Sequence, residues 1–312
     1  MHRLLLLLAL LLPGCPAPAD DDDATEPETP EPPCARWNAG EPQGTVEDEA
    51  LDEISGLVAS RQTPGALWVH EDSGAGPVLF ALNASGRTVA ELTLEGAPSA
   101  DWEDLALGAC AGDEPTPTDG GPWCIVVADF GDNFESRDDI ALLRFEEPEV
   151  DLGADEPREL TADFEEIRTT YPEGPQNAEA LVLEADGTPV VITKRTDGDA
   201  WLYRMPRAAD DTTEPVRIAT TTIGPVGGLI DTVTGADLTT DGTRLLLRTY
   251  AAGWLYDLGD DGLDGIHEDM QREVLVAPEP QGEAIAWSAF ERDILHVSEA
   301  VEPPINRLSC RD

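Results

Sequence analysis

The chain has 312 residues, with 64 Asp and Glu against 19 Lys and Arg and a formal charge of −45. Each phosphate contact would need a cation that such a chain lacks, which excludes nucleic acid as a partner and weighs against an anionic membrane surface. Hydrophobic residues still reach 41 %, more than a disordered polyanion carries, so the acidity decorates a folded core.

The chain opens with the short basic start Met1-His2-Arg3, an almost unbroken apolar run over 4–12, and then Leu12-Pro13-Gly14-Cys15. That run is too short to span a bilayer as a mature helix and reads as the apolar part of a signal peptide. Its end resembles the lipobox of bacterial lipoproteins, in which the cysteine, here Cys15, is lipidated and becomes the first residue. Pro13 is an unusual neighbour for that motif, and plain secretion is the alternative; both export the protein. Residues 16–33 hold seven acids, six prolines and no large apolar side chain, the composition of an extended, solvated tether. Residues 34–312 are left as one domain. The expected location is the cell envelope, periplasmic or at the surface, with a lipid anchor in the outer or the cytoplasmic membrane.

Four cysteines remain after export, an even number for an oxidising compartment. Cys110 and Cys124 flank a loop rich in Gly, Pro and Asp, while Cys34 and Cys310 bound the folded part. Of three possible pairings, Cys110–Cys124 with Cys34–Cys310 is preferred, and it requires the two ends of the domain to meet.

A short phrase recurs along the domain: an acid, a small or apolar pair, then an alternating strand. It stands at Glu53-Ile54-Ser55-Gly56-Leu57, Glu103-Asp104-Leu105, Glu179-Ala180-Leu181, Asp237-Leu238-Thr239 and Glu283-Ala284-Ile285, at intervals of 50, 76, 58 and 46 residues. Second apolar strands are expected at 66–70, 124–128, 189–193, 244–250 and 294–297, and third strands at 78–82, 140–145, 201–205, 253–258 and 305–308. Fourth strands are expected at 88–94, 159–164, 216–222 and 273–277. Turns such as Asn83-Ala84-Ser85-Gly86 and Ala185-Asp186-Gly187 suit hairpins, because Gly and Asp tolerate positive φ. Four-stranded antiparallel units of about 50 residues are propeller blades. The expectation is an all-β, five-bladed β-propeller, with residues 35–46 completing the last blade and six blades as the alternative.

In that architecture the acids opening the inner strands, Glu53, Glu103, Glu179, Asp237 and Glu283, ring one mouth of the central channel. Residues closing the second strands stand beside them: His70 and Asp72, Asp132 and Asn133, Lys194 and Arg195, Arg248 and Tyr250, and Glu299. Converging carboxylates repel unless cations or protons compensate, and hard oxygen ligands in that number suit Ca²⁺, with Asn133 and water completing the shell. The alternative is a structural network in which the acids cap amides and pair with Arg195 and Arg248. Lys194 is the chain's only lysine. With Arg195 and Arg248 it could hold an anionic group over the metal. No Gly-x-Ser-x-Gly elbow and no phosphate-cradling glycine loop occur.

The phrases Glu53-Ile54-Ser55-Gly56-Leu57, His70-Glu71-Asp72-Ser73-Gly74, Asp101-Trp102-Glu103-Asp104-Leu105-Ala106 and Gly131-Asp132-Asn133 together resemble a group of bacterial secreted β-propeller proteins of largely unassigned function. More distantly, the acid-plus-small openings are similar to those of esterase-like phytase domains and of SMP-30-like, calcium-dependent phosphotriesterase propellers. The residues themselves give the leading expectation, a tethered, monomeric propeller whose acidic channel mouth binds a cation and an extracellular small-molecule or protein ligand; the close resemblance covers nearly the whole domain but carries no assigned activity. The distant one implies a metal-dependent phosphoesterase or lactonase, although those enzymes typically have six blades. A protein-interaction scaffold is the third expectation.

Overall fold

Every inner strand is followed by two or three antiparallel partners, because apolar residues alternate with a period of two and tight turns interrupt them. The computed structural model describes residues 34–72, 74–110, 122–224 and 229–311. Residues 1–33, on which the expected signal peptide, Cys15 and the expected tether fall, and Ser73 lie outside the described residues.

The first strand, β1 (Glu41–Thr45), is held for the end of the ring. The first blade contains β2 (Ile54–Ala59), β3 (Leu67–Glu71), β4 (Val78–Leu82) and β5 (Thr88–Thr93). The second contains β6 (Trp102–Ala109), β7 (Trp123–Asp129) and β8 (Ile140–Glu146), followed in the chain by β9 (Arg158–Thr161) and β10 (Glu165–Thr169). The third contains β11 (Ala178–Leu183), β12 (Pro189–Thr193), β13 (Asp199–Arg204) and β14 (Val216–Thr222). The fourth contains β15 (Val233–Leu238), β16 (Arg244–Thr249), β17 (Gly253–Asp257) and β18 (Gln271–Val274). The fifth contains β19 (Gly282–Trp287), β20 (Ile294–Ser298) and β21 (Pro304–Leu308). Its outer place is taken by β1, paired antiparallel to β21, so the two chain ends close a five-bladed ring. The Cys34–Cys310 disulfide, with Cα atoms 5.8 Å apart, clamps that closure, and Cys110–Cys124 ties the ends of β6 and β7.

One expected strand is corrected. The fourth strand placed at 159–164 is not the outer strand of the second blade; that place belongs to β10, paired with β8. The segment β9 instead crosses to the first blade and pairs parallel to β5, Ala90 with Arg158 through Thr93 with Thr161. Two short polar strands in succession leave the period unable to say which blade each joins.

The core is divided among the blade interfaces. Separate apolar clusters join the first blade to the second, the second to the third, the third to the fourth, the fourth to the fifth and the fifth to the first. Each inner strand is therefore buried on both faces, and the burial of several Leu, Ile, Val and Trp side chains at each seam fixes the angle between blades.

Candidate functional site at the channel mouth

Each inner strand carries a bulge one residue after its first pair, visible as a jump in register at Ser55, Glu103, Glu179, Thr234 and Glu283. A bulge re-aims one side chain out of the ladder, here toward the mouth where the inner strands start and the second strands end. The residue after it packs against a neighbouring blade, where a Cβ on Gly235 would stand 2.5 Å from the Glu283 carbonyl oxygen. That residue is Gly56, Ala180, Gly235 or Ala284 in four blades; a Cβ on Gly56 would stand 2.4 Å from both His70 and Leu105.

The bulge register sorts the acids. Glu103, Glu179 and Glu283 are buried at the mouth. Glu53 precedes the bulge, is exposed, and donates its N–H to Glu71 Oε2 at 3.2 Å. Asp237 is not at the mouth: it lies three residues beyond Thr234, half-buried, and its carboxylate accepts the N–H groups of Leu238 at 2.8 Å and Trp287 at 2.7 Å. Asp104 occupies the small-residue position in the second blade and reaches across the channel to Leu181 N at 2.8 Å and Ala236 N at 3.4 Å.

At the mouth, Asp72, Asp101 and Glu103 bring carboxylate oxygens within 4.8 Å of one another. Glu103 accepts no hydrogen bond among the described residues, and burial, then Glu179, Asp72 and Asp101, push its carboxyl well above the usual range. Asp101 is raised by burial despite Arg137. Gly131 allows the approach: a Cβ there would meet Glu103 Oε1 at 2.2 Å and Asp101 Oδ2 at 2.5 Å. Burial lifts Glu179 to about 7, although Lys194 opposes it, and lifts Glu283 to about 8 with help from Glu179. Glu283 Oε2 is buried without a donor, while Oε1 accepts Gln281 Nε2 at 2.9 Å. Glu299 is half-buried, raised mainly by burial, and also accepts from Gln281.

The cations beside this cluster are already paired. Lys194 donates to Glu179 and, at 2.7 Å, to Tyr250; burial would lower it, but Glu179 holds it high. Arg195 forks onto Asp197 at 2.5 and 3.2 Å and stacks 3.8 Å from the Trp201 ring. Arg248 is buried against Glu279 at 2.8 Å, and Glu279 also takes His296 Nδ1 and Asn306. His70 is buried, its Nδ1 is 2.7 Å from the Glu71 carbonyl, and burial lowers it to about 4, so it stays neutral at pH 7. Asp132 serves its own loop, accepting from Ser136 and Arg137 amides at 2.6 and 2.7 Å. Asn133 is exposed and accepts from Asn177 at 3.3 Å.

The residues the sequence did not single out as ligands are Asp101, Gly131, Asn177 and Phe134. Asp101 had a readable signal, since its i, i+2 spacing from Glu103 puts both on one side of an extended segment. Phe134 and Asn177 carried none, because only the fold brings their loops together at a cavity of about 440 Å³ shared with Lys194, Arg195 and Tyr250.

No family model and no curated protein matches the chain. Among solved structures it is similar to the PQQ-bound aldose sugar dehydrogenase of Streptomyces coelicolor, at 12% identity and a TM-score of 0.51 over 90% of this chain and 100% of that one. Raptor of Chaetomium thermophilum matches at 10% identity and a TM-score of 0.46, over 89% of this chain and 30% of that one. The Cps50 (Swd1) propeller domain of Myceliophteria thermophila matches at 11% and 0.44, over 87% and 100%. At such identities the first likeness shows a common propeller fold and nothing about activity.

Proposed function

We propose that the protein is an exported, lipid-tethered propeller that binds a divalent cation, Ca²⁺ by its chemistry, at the channel mouth and presents it to an extracellular ligand. The observation that carries this reading is Glu103, a buried carboxylate that accepts no hydrogen bond among the described residues and faces two further carboxylates. Ca²⁺ lies about 2.3–2.6 Å from its oxygens, so oxygens around one ion stand up to roughly 5 Å apart. The 4.8 Å grouping fits that shell, with Asp72, Asp101 and Glu103 as ligands. The two disulfides suit an oxidising compartment, and the apolar run before Cys15 supports export. The resemblance to bacterial secreted propellers points the same way.

The test is a thermal melt of the protein in Ca²⁺ and in chelator. A hundredfold excess over the dissociation constant stabilises by about 2.7 kcal/mol if only the folded state binds. In D101N/E103Q the shift is expected to vanish while the melt in chelator is kept; equal melts for the parent protein in both buffers would remove the cation.

One observation favours a second reading, a metal-dependent phosphoesterase or lactonase. Glu179 and Glu283, raised to about 7 and about 8, exchange protons near neutrality beside the cation cluster, as a general base must. Turnover of p-nitrophenyl phosphate or a simple lactone, abolished by chelator and by E179Q, would establish it, and its absence leaves a binding protein.

A further inference from the structure

We propose that the cavity beside the cation cluster takes a neutral, polyhydroxylated ring, a sugar, rather than an anion. This rests on reading the mouth as a ligand-binding face, and it names the class of ligand.

Charge comes first. The cavity of about 440 Å³ is lined by Asn133, Phe134, Asn177, Lys194, Arg195 and Tyr250, a size that holds one or two sugar rings. Both of these cations are spent, Lys194 on Glu179 and Arg195 on Asp197, and Arg248 is buried on Glu279. From Cys34 onward the chain holds 57 acids against 18 basic residues, and the cavity's own lysine and arginine are paired, so without the mouth ion an anion would meet net repulsion. The chain's own charges therefore favour a neutral ligand over phosphate or carboxylate in this cavity.

Shape and polarity then select among neutral ligands. Phe134 is 91 % exposed at the tip of the loop between β7 and β8, a large apolar side chain held out of the core. The loop is built to hold it there: Glu135 has φ of +48° and donates to the Asp132 carbonyl at 2.9 Å, and the Asp132 carboxylate takes the next two amides. A flat aromatic face covers the C–H face of a sugar ring, which is apolar, while the ring's edge is all hydroxyls. Facing that edge are the amides of Asn133 and Asn177 and the Tyr250 hydroxyl. Asn177 is fixed by Asp132 N at 2.9 Å, and Asn133 Nδ2 has no protein partner among the described residues. Trp201, stacked between Arg195 and Arg217 at 3.8 and 4.4 Å, stiffens the arginine wall.

The experiment is saturation-transfer NMR and calorimetry on the purified full chain with glucose, galactose, mannose and N-acetylglucosamine, against glucuronate, in Ca²⁺ and in chelator. At least one neutral sugar is expected to bind, with saturation on its ring C–H protons, and glucuronate about tenfold more weakly. F134A is expected to weaken binding roughly three- to tenfold without moving the melting temperature, as loss of one aromatic contact does. N133A, also exposed, gives an independent loss. Binding by none of the neutral sugars, preference for glucuronate, or unchanged binding in both variants would overturn the proposal. A Ca²⁺-dependent melt with no sugar binding refutes the sugar alone; sugar binding with no Ca²⁺ effect refutes the cation alone.

Discussion

Two sets of buried acids lie within a few residues of each other in the channel, and they are treated in opposite ways. Deep inside, Asp104 and Asp237 are satisfied by backbone: Asp104 takes amides from its own, the third and the fourth blades, and Asp237 takes amides from its own and the fifth. At the mouth, Glu103 has no donor among the described residues and Glu283 only half its share. Acids that accept amides from a neighbouring blade staple the ring; acids left facing each other are the ones we propose hold a cation. Asp104, Glu103 and Glu283 are buried alike and Asp237 is somewhat more open, so what separates the two sets is their hydrogen-bond partners.

The comparison can be broken by substitution. D237A leaves the buried amides of Leu238 and Trp287 without an acceptor and is expected to cost about 2–4 kcal/mol in urea unfolding, with D104A at least as severe. If E103Q or E283Q costs as much, the division fails. The expected result is the reverse: either amide relieves repulsion and leaves the chelator-treated domain as stable or slightly more stable. A subtler change, G131A, puts a methyl between Asp101 and Glu103 and is expected to weaken Ca²⁺ stabilisation about tenfold, with a smaller loss of stability in chelator. If the Ca²⁺ response survives intact, the two carboxylates do not share an ion.

The smallest effect is in pH. Glu283 and Glu179 have raised values in the folded chain, so the folded state binds more protons than the unfolded one between about 4.5 and about 8. Stability in chelator is therefore fully present below about 4.5 and falls as pH rises toward 8. Ca²⁺ competes with the protons of Glu103 and Asp101, whose carboxyls burial also raises, so its stabilisation grows as the pH rises. Melts at pH 5, 6.5 and 8 with and without Ca²⁺ are expected to converge toward pH 5 and separate toward pH 8, and parallel curves would mean that the ion does not compete with protons at the mouth.

The blades were legible because the phrase of acid and small residue repeats and the strands alternate with a clear period. The disulfides were legible from even count and position. The misreadings came from register. Asp237 resembles the other openings as text, yet the bulge of its blade is at Thr234, and Thr234-Gly235 is the true counterpart of Glu283-Ala284. The usable signal was the small residue after the bulge, Gly56, Ala180, Gly235 and Ala284, and the departure from it at Asp104 marks the acid that plugs the channel. Strand β9 was misplaced because its pairing is decided by a distant blade. Lys194, Arg195 and Arg248 stood correctly on one side of the fold, but a sequence gives no sign that each already has its own carboxylate.

The Cys34–Cys310 bridge also has a mechanical side. It lies at the end of the ring where β20 begins and β21 finishes, opposite the mouth. A pull arriving through the residues before Cys34 would, without the bridge, strip β1 from the rim of the fifth blade strand-end first. With the bridge, the load passes through sulfur into β21, which is flanked on both sides, and is shared by a whole sheet. Such a load would enter at the end of the ring opposite Asp72, Asp101 and Glu103, away from the carboxylates.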